Sequence, residues 1–201
     1  MNCARLISRF SERLKLSPKL SFQIKSIKHN PADYTSWLNK YKNQPILELY
    51  HSPSRSDTDN PVDSIFQNGF YITGRGNKGP GVYLASHSRY CACWGGTSPP
   101  AIICHVVGIE GPVKRFRSEI YSPAWSYEYT VTDTSLIFPV CAIWYDIIGD
   151  NKDFRSWRTG YTPYGSTGCV KCDTTPSFGG IKKGIRCDCP LLPSSHEDDI
   201  I

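Results

Sequence analysis

Tyr127-Glu128-Tyr129-Thr130-Val131-Thr132, followed after Asp133 by the apolar run from Leu136 to Ile147, decides the fold class. Both pieces are rich in β-branched and aromatic residues and read as strands, as does Ala101 to Gly108 upstream. Working outward, Val82 to Ala85 reads as a strand entering a helix over Ser86 to Trp94, and Phe70 to Thr73 as another strand. Ile46 to Tyr50 is apolar enough to lie inside a sheet. Two Asn-Pro pairs mark helix starts, since Asn caps and Pro is tolerated in the first turn. After Asn30-Pro31, Tyr34, Trp37, Leu38 and Tyr41 share one face through about Asn43, before Pro45 ends the helix. After Asn60-Pro61, Val62, Ile65 and Phe66 do so, with Gly69 as the stop. Short helices separate some strands, and the later part is mostly strand. That order predicts an α+β fold with antiparallel pairing, not regular βαβ alternation.

Composition agrees. The 201-residue chain is 39% hydrophobic, 12% aromatic and 20% charged, which reads as globular and large enough to bury a core. The longest apolar stretch, Leu136 to Tyr145, is broken by Pro139 and too short to span a bilayer. The charge of +5 is uneven: residues 1–44 carry nine Lys/Arg against Glu12 and Asp33, and the remainder is mildly acidic. This argues against a phosphate-tracking face on the body of the chain. Residues 4–16 place Leu6, Ile7, Phe10 and Leu14 at helical spacing, with Arg5, Arg9 and Arg13 four apart. That segment reads as a surface helix or a loose basic arm. Its arginine- and serine-rich, acid-poor character up to about Ser26 also permits a mitochondrial transit segment. With no legible signal peptide, the expectation is an intracellular monomer, cytoplasmic or nuclear. Its expected organisation is a basic extension at 1–30, a main domain at 31–148 and a Cys-rich tail at 149–201.

Three separated pieces suggest a single pocket: Tyr50-His51-Ser52 closing an apolar run, Gly81-Val82-Tyr83-Leu84-Ala85, and Tyr127-Glu128-Tyr129-Thr130-Val131. The glycine-rich segment Gly74–Gly81 is not followed by Gly-Lys-Ser/Thr, which excludes a P-loop. Taken singly, a histidine at a strand end reads as hydrogen-bonded scaffolding, Tyr83 as packing and Glu128 as a solvated carboxylate. Their joint order resembles the His…Tyr…Glu signature of the poly(ADP-ribose) polymerase-like ADP-ribosyltransferases. Leu47-Glu48-Leu49-Tyr50-His51 resembles that family's histidine strand. Gly81–Ala85 leading into Ser88-Arg89-Tyr90 resembles its tyrosine block, and Glu128-Tyr129-Thr130-Val131-Thr132-Asp133 its glutamate block. Ser64–Phe70 and Ile102–Gly108 agree with the elements between, so the resemblance covers residues 46–145.

The resemblance implies an ADP-ribosyltransferase-like split antiparallel β-sheet core with short flanking helices. It implies transfer of ADP-ribose from NAD, the substrate, to an acceptor with release of nicotinamide. His51 would bond the adenine-side ribose, the Ser52 backbone would clamp the nicotinamide amide, and Ser88 would donate to that amide. Tyr83 and Tyr90 would wall the ring, Tyr71 would add a contact to NAD, and Glu128 would stabilise the oxocarbenium-like transition state. The three residues His51, Tyr83 and Glu128 would then converge on one cleft. Ser52 stands where the family commonly has Gly, and the segment between Tyr90 and Glu128 is short, which favours single transfer over chain elongation. The acceptor, protein or nucleic acid, is not legible.

Nine cysteines, an odd number, argue against a disulfide framework. Cys169-Val-Lys-Cys172 and Cys187-Asp-Cys189 have spacings suited to a tetrahedral zinc site, the other reading being a loop with free thiols. Two rival functions stand beside transfer. One is a degenerate module that holds NAD or ADP-ribose without turnover. The other is a zinc-stapled nucleic-acid-binding protein, weakened by the absence of a dense basic and aromatic array on the body.

Overall fold

Neighbouring residues on the central strands belong to two different cores. Leu49, Ile102 and Ala142 join one apolar cluster, while Tyr50, Ile103 and Ile143, each the next residue, join another. Period-two alternation with apolar residues on both sides means a sheet buried on both faces. The computed structural model describes residues 3–14, 16–53, 60–72, 74, 78–95, 100–117 and 127–150. The tail cysteines Cys169, Cys172, Cys187 and Cys189 lie outside them.

The chain runs α1 (Cys3–Leu14), β1 (Ser21–His29), α2 (Tyr34–Lys40), β2 (Ile46–His51), α3 (Pro61–Asn68) and β3 (Val82–Ala85). It continues α4 (Ser88–Gly95), β4 (Pro100–Val107), β5 (Val113–Arg117), β6 (Tyr127–Val131) and β7 (Ile137–Ile148). The seven strands form one sheet in the order β1-β7-β4-β2-β3-β6-β5, and every pairing is antiparallel. The α+β class is as expected. None of the helices among the described residues is long and apolar enough to cross a membrane.

The stretch read as an extension, residues 1–30, contributes α1 and β1 to this fold. Leu6, Phe10 and Leu14 of α1 are buried in the core with Tyr50, Ile143 and Tyr145. Phe10 is fully buried and meets Tyr145, Tyr50 and Phe22 at ring-centroid distances of 5.1, 6.0 and 6.4 Å. Burying such a ring contributes about 1.5–3 kcal/mol. Strand β1 pairs with β7 along almost its whole length. Its register shifts between Ile24 and Ser26, and that bulge breaks the period-two signal by which the strand would be read.

Two local expectations need correction, and one strand went unread. The helix after Asn30-Pro31 begins at Tyr34 and is capped by Asp33, whose carboxylate accepts from the Thr35 and Ser36 amides. Asn30 serves the sheet instead: its backbone amide donates to the Val140 carbonyl and its side-chain amide to the Pro139 carbonyl. Second, no strand forms over Phe70 to Ile72, which follow Gly69 in coil. The unread strand is β5, because Val113-Lys114-Arg115-Phe116-Arg117 is too charged to read as a strand. The start at Asn60 did hold: its side chain accepts from the Asp63 amide, Pro61 opens α3, and Gly69 at φ +76° ends it. Pro139 sits inside β7 without breaking it, at a shift of register between Ile103 and Cys104 on β4. A bulge is where a strand tolerates a residue lacking an N–H.

Candidate functional site

The strands bearing His51, Tyr83 and Glu128 are consecutive in the sheet: β2, β3, β6. The first junction is thin. Strands β2 and β3 share a single pair, Tyr50 with Ala85, whereas β3 and β6 pair from Val82–Val131 to Ala85–Glu128. Ser86 extends the second ladder by one step, its amide donating to the Tyr127 carbonyl at 2.9 Å and its hydroxyl accepting from the Tyr127 amide at 2.9 Å. Glycine is required at position 81. Its φ is +151°, and a Cβ there would collide with the Thr130 methyl and the Val131 carbonyl, so only glycine lets β3 start against β6.

Residues directly paired across antiparallel strands project to the same face. Tyr50, Ala85, Glu128 and Phe116 therefore form one row across four strands. Tyr83 lies on the same face, in the next row, opposite Thr130. His51, one residue beyond Tyr50, falls on the opposite face by the pleat. Its ring meets Phe70 edge-on at 5.1 Å, on the side where Leu49 and Leu84 are buried. Tyr83 and Glu128 are thus brought together on one face, and His51 is not. Histidine and tyrosine are linked through the main chain instead: His51 Nδ1 lies 2.8 Å from the Tyr83 carbonyl oxygen. A ligand that touched both His51 and Glu128 would have to pass through the seam where β2 and β3 part.

The Glu128 carboxylate is nearly buried. Desolvation raises its pKa, and the Lys78 ammonium, 3.2 Å from Oε2, opposes that rise. Burial lowers the pKa of His51, and the hydrogen bond to the Tyr83 carbonyl works against it. The Tyr83 hydroxyl accepts from the Lys78 amide at 2.9 Å and donates to the Gly79 carbonyl at 2.8 Å. Its ring is half-buried, and its polar tip holds the backbone at Lys78 and Gly79.

The remaining expected contacts fall in different settings. Ser88 is fully buried, and its hydroxyl donates to the Phe10 carbonyl at 2.6 Å, so in this arrangement it joins α4 to α1 and does not face a ligand. Ser52 follows β2 and is half-buried, Tyr90 lies on α4, and Tyr71 is 71% exposed beside Phe70.

Two features escaped the sequence reading. Lys78 is one, a lysine between glycines with no signal of its own. The other is Glu48, fully buried in the middle of β2. Its carboxylate accepts from the Tyr50 hydroxyl at 2.8 Å and from Arg9 at 3.3 Å, and Arg13 lies 3.9 Å away. A carboxylate inside an apolar run, with three arginines four apart upstream, was a signal of this network. Arg13 Nη1 also donates to the carbonyls of Glu48 at 3.1 Å and Ser86 at 3.3 Å, bridging the β2 side of the seam to the residue after β3. Among the described residues no group of His, Cys, Asp and Glu is arranged to hold a metal. No protein-family model matches the chain, nor does any curated protein.

Proposed function

We propose that the chain transfers ADP-ribose from NAD to an acceptor, one unit at a time, on an ADP-ribosyltransferase-like core. The bond between the ribose anomeric carbon and the nicotinamide nitrogen breaks, and nicotinamide leaves with the bonding pair as a neutral ring. An acceptor oxygen or nitrogen then bonds to the anomeric carbon and gives up its proton. The observation that carries this is the nearly buried carboxylate of Glu128 on the same face as Tyr83, on two paired strands of which the first, β3, adjoins the histidine strand across a nearly unpaired seam. A carboxylate in a dry setting interacts strongly with positive charge developing on a ribose ring. Tyr83 supplies an aromatic wall, and the exposed Tyr71 a surface on which a planar base can stack. His51 would contact the distal ribose from the far side of the seam.

A second reading has an observation in its favour. With His51 and Glu128 on opposite faces and Glu128 paired to Lys78, the site also suits a module that holds NAD or ADP-ribose without turnover. Incubation with NAD labelled in the adenylate part separates the two. Transfer expects label on an acceptor and free nicotinamide, both reduced about a hundredfold or more in Glu128→Gln, with NAD affinity nearly unchanged. Saturable NAD binding without nicotinamide release would establish the binding module instead.

A further inference from the structure

We propose that Lys78 is the positioning residue for Glu128, set in place by the Tyr83 hydroxyl; its catalytic meaning rests on the transfer reading above. Three contacts build the device. Lys78 Nζ stands 3.2 Å from Glu128 Oε2, with both side chains close to nine-tenths buried. The same ammonium lies 5.2 Å from the centre of the Phe116 ring, and Phe116 is the residue paired with Glu128 on β5. The ring face and the carboxylate together define one place for the positive charge. The backbone of Lys78 is fixed independently, because the Tyr83 hydroxyl accepts from its amide and donates to the carbonyl of Gly79. Tyr83 therefore acts on Glu128 through Lys78.

The physical need is plain. A carboxylate taken out of water drifts toward its neutral form, and neutral glutamic acid cannot stabilise an oxocarbenium-like centre or take a proton from an acceptor. A lysine placed against one oxygen keeps the group ionised and restrains its rotation. The same face also carries Tyr83 on β3 and the exposed Lys114 on β5, and, on the β2 side of the seam, Tyr50 and Glu48 with His105 of β4 and Arg9 and Arg13 of α1. Gly79 and Gly81, on the β3 side of the lysine, both take positive φ, at +95° and +151°.

The test uses the full chain and two readouts. In the ligand-free protein, carbon NMR of glutamate carboxyls, assigned through Glu128→Gln, follows the titration of Glu128. Lys78→Met should move that titration upward by a unit or so, Lys78→Arg should restore it, and Tyr83→Phe should move it part of the way. In NAD turnover, Lys78→Met should lower kcat by roughly tenfold with little change in KM, and Lys78→Arg should recover most of it. An unmoved titration in Lys78→Met, or a moved one with kcat intact, overturns the role. If wild type releases no nicotinamide, the transfer reading fails, and the titration alone then decides whether Lys78 holds Glu128. Should Lys78→Met not fold, Tyr83→Phe carries the same two measurements.

Discussion

His105 shows how one buried side chain sets a pH response. It lies on β4 opposite Glu48 of β2, is 3% exposed, and shares a 2.7 Å hydrogen bond between Nδ1 and the Tyr34 hydroxyl. Burial, with a smaller push from the positive charge of Arg9, lowers its pKa from 6.5 to about 3. Nε2 has no hydrogen-bond partner among the described residues, which removes the contact that would favour an imidazolium. The unfolded chain takes a proton near the ordinary value, and the folded chain refuses it until far lower pH. The stability tied to this refusal is complete above pH 6.5 and drains as pH falls toward about 3. Urea midpoints at neutral pH and near pH 4.5 should therefore differ, and His105→Gln should remove a large part of the difference. An equal pH dependence in the variant would show that other groups carry the acid sensitivity.

At the scale of elements, α1 closes one side of the sheet and clasps the seam beside the site. Its apolar face is continuous with the core around Tyr145, and its arginines reach the buried Glu48. The clasp is Arg13, bonded to the carbonyls of Glu48 and Ser86 where strand pairing between β2 and β3 has nearly lapsed. Phe10→Ala should cost about 3–5 kcal/mol in urea unfolding, the ordinary consequence of emptying a phenyl-sized space in a packed core. Arg13→Gln should act differently. It leaves the apolar face intact but frees the two carbonyls, so amide hydrogen exchange should quicken in β3 more than in β7. Uniform quickening across the sheet would mean that Arg13 supports the fold at large and not the seam.

At the scale of the whole molecule, the described residues form a sheet buried on both faces by side chains drawn from Leu6 to Ile147. Both cores draw on many buried residues that precede the cysteine tail, so the sheet is expected to be separable from the tail in its response to metal. Purified chain should carry one zinc, lost in Cys169→Ser with Cys172→Ser. Chelation should leave the cooperative unfolding of the sheet, and any NAD binding, unchanged. Absence of zinc would leave four thiols in a loop; loss of the sheet on chelation would show that the tail supports the body.

What could be read from the chain alone is what depends on local periodicity and turn chemistry. The apolar runs of β2, β3, β4, β6 and β7, the Asn60-Pro61 cap, the Gly69 stop and the glycine before Val82 all announce themselves, because each answers a steric or burial demand within a few residues. They were enough for the α+β class and for the order of the histidine, tyrosine and glutamate strands. Helix α1 was visible in its spacing, but not its docking, since nothing in an amphipathic helix names the surface that it covers. Strand β1 was hidden by its bulge, and β5 by its charge. The site was legible as a set of residues and not as an arrangement. That His51 and Glu128 face opposite sides follows from the single pair Tyr50–Ala85, whose register the sequence does not state. Shifting it by one residue would turn every side chain over, and only packing of both cores at once selects the register. The Lys78–Glu128 pair is tertiary for the same reason: it joins groups fifty residues apart, with the backbone at Lys78 and Gly79 held by the hydroxyl of Tyr83.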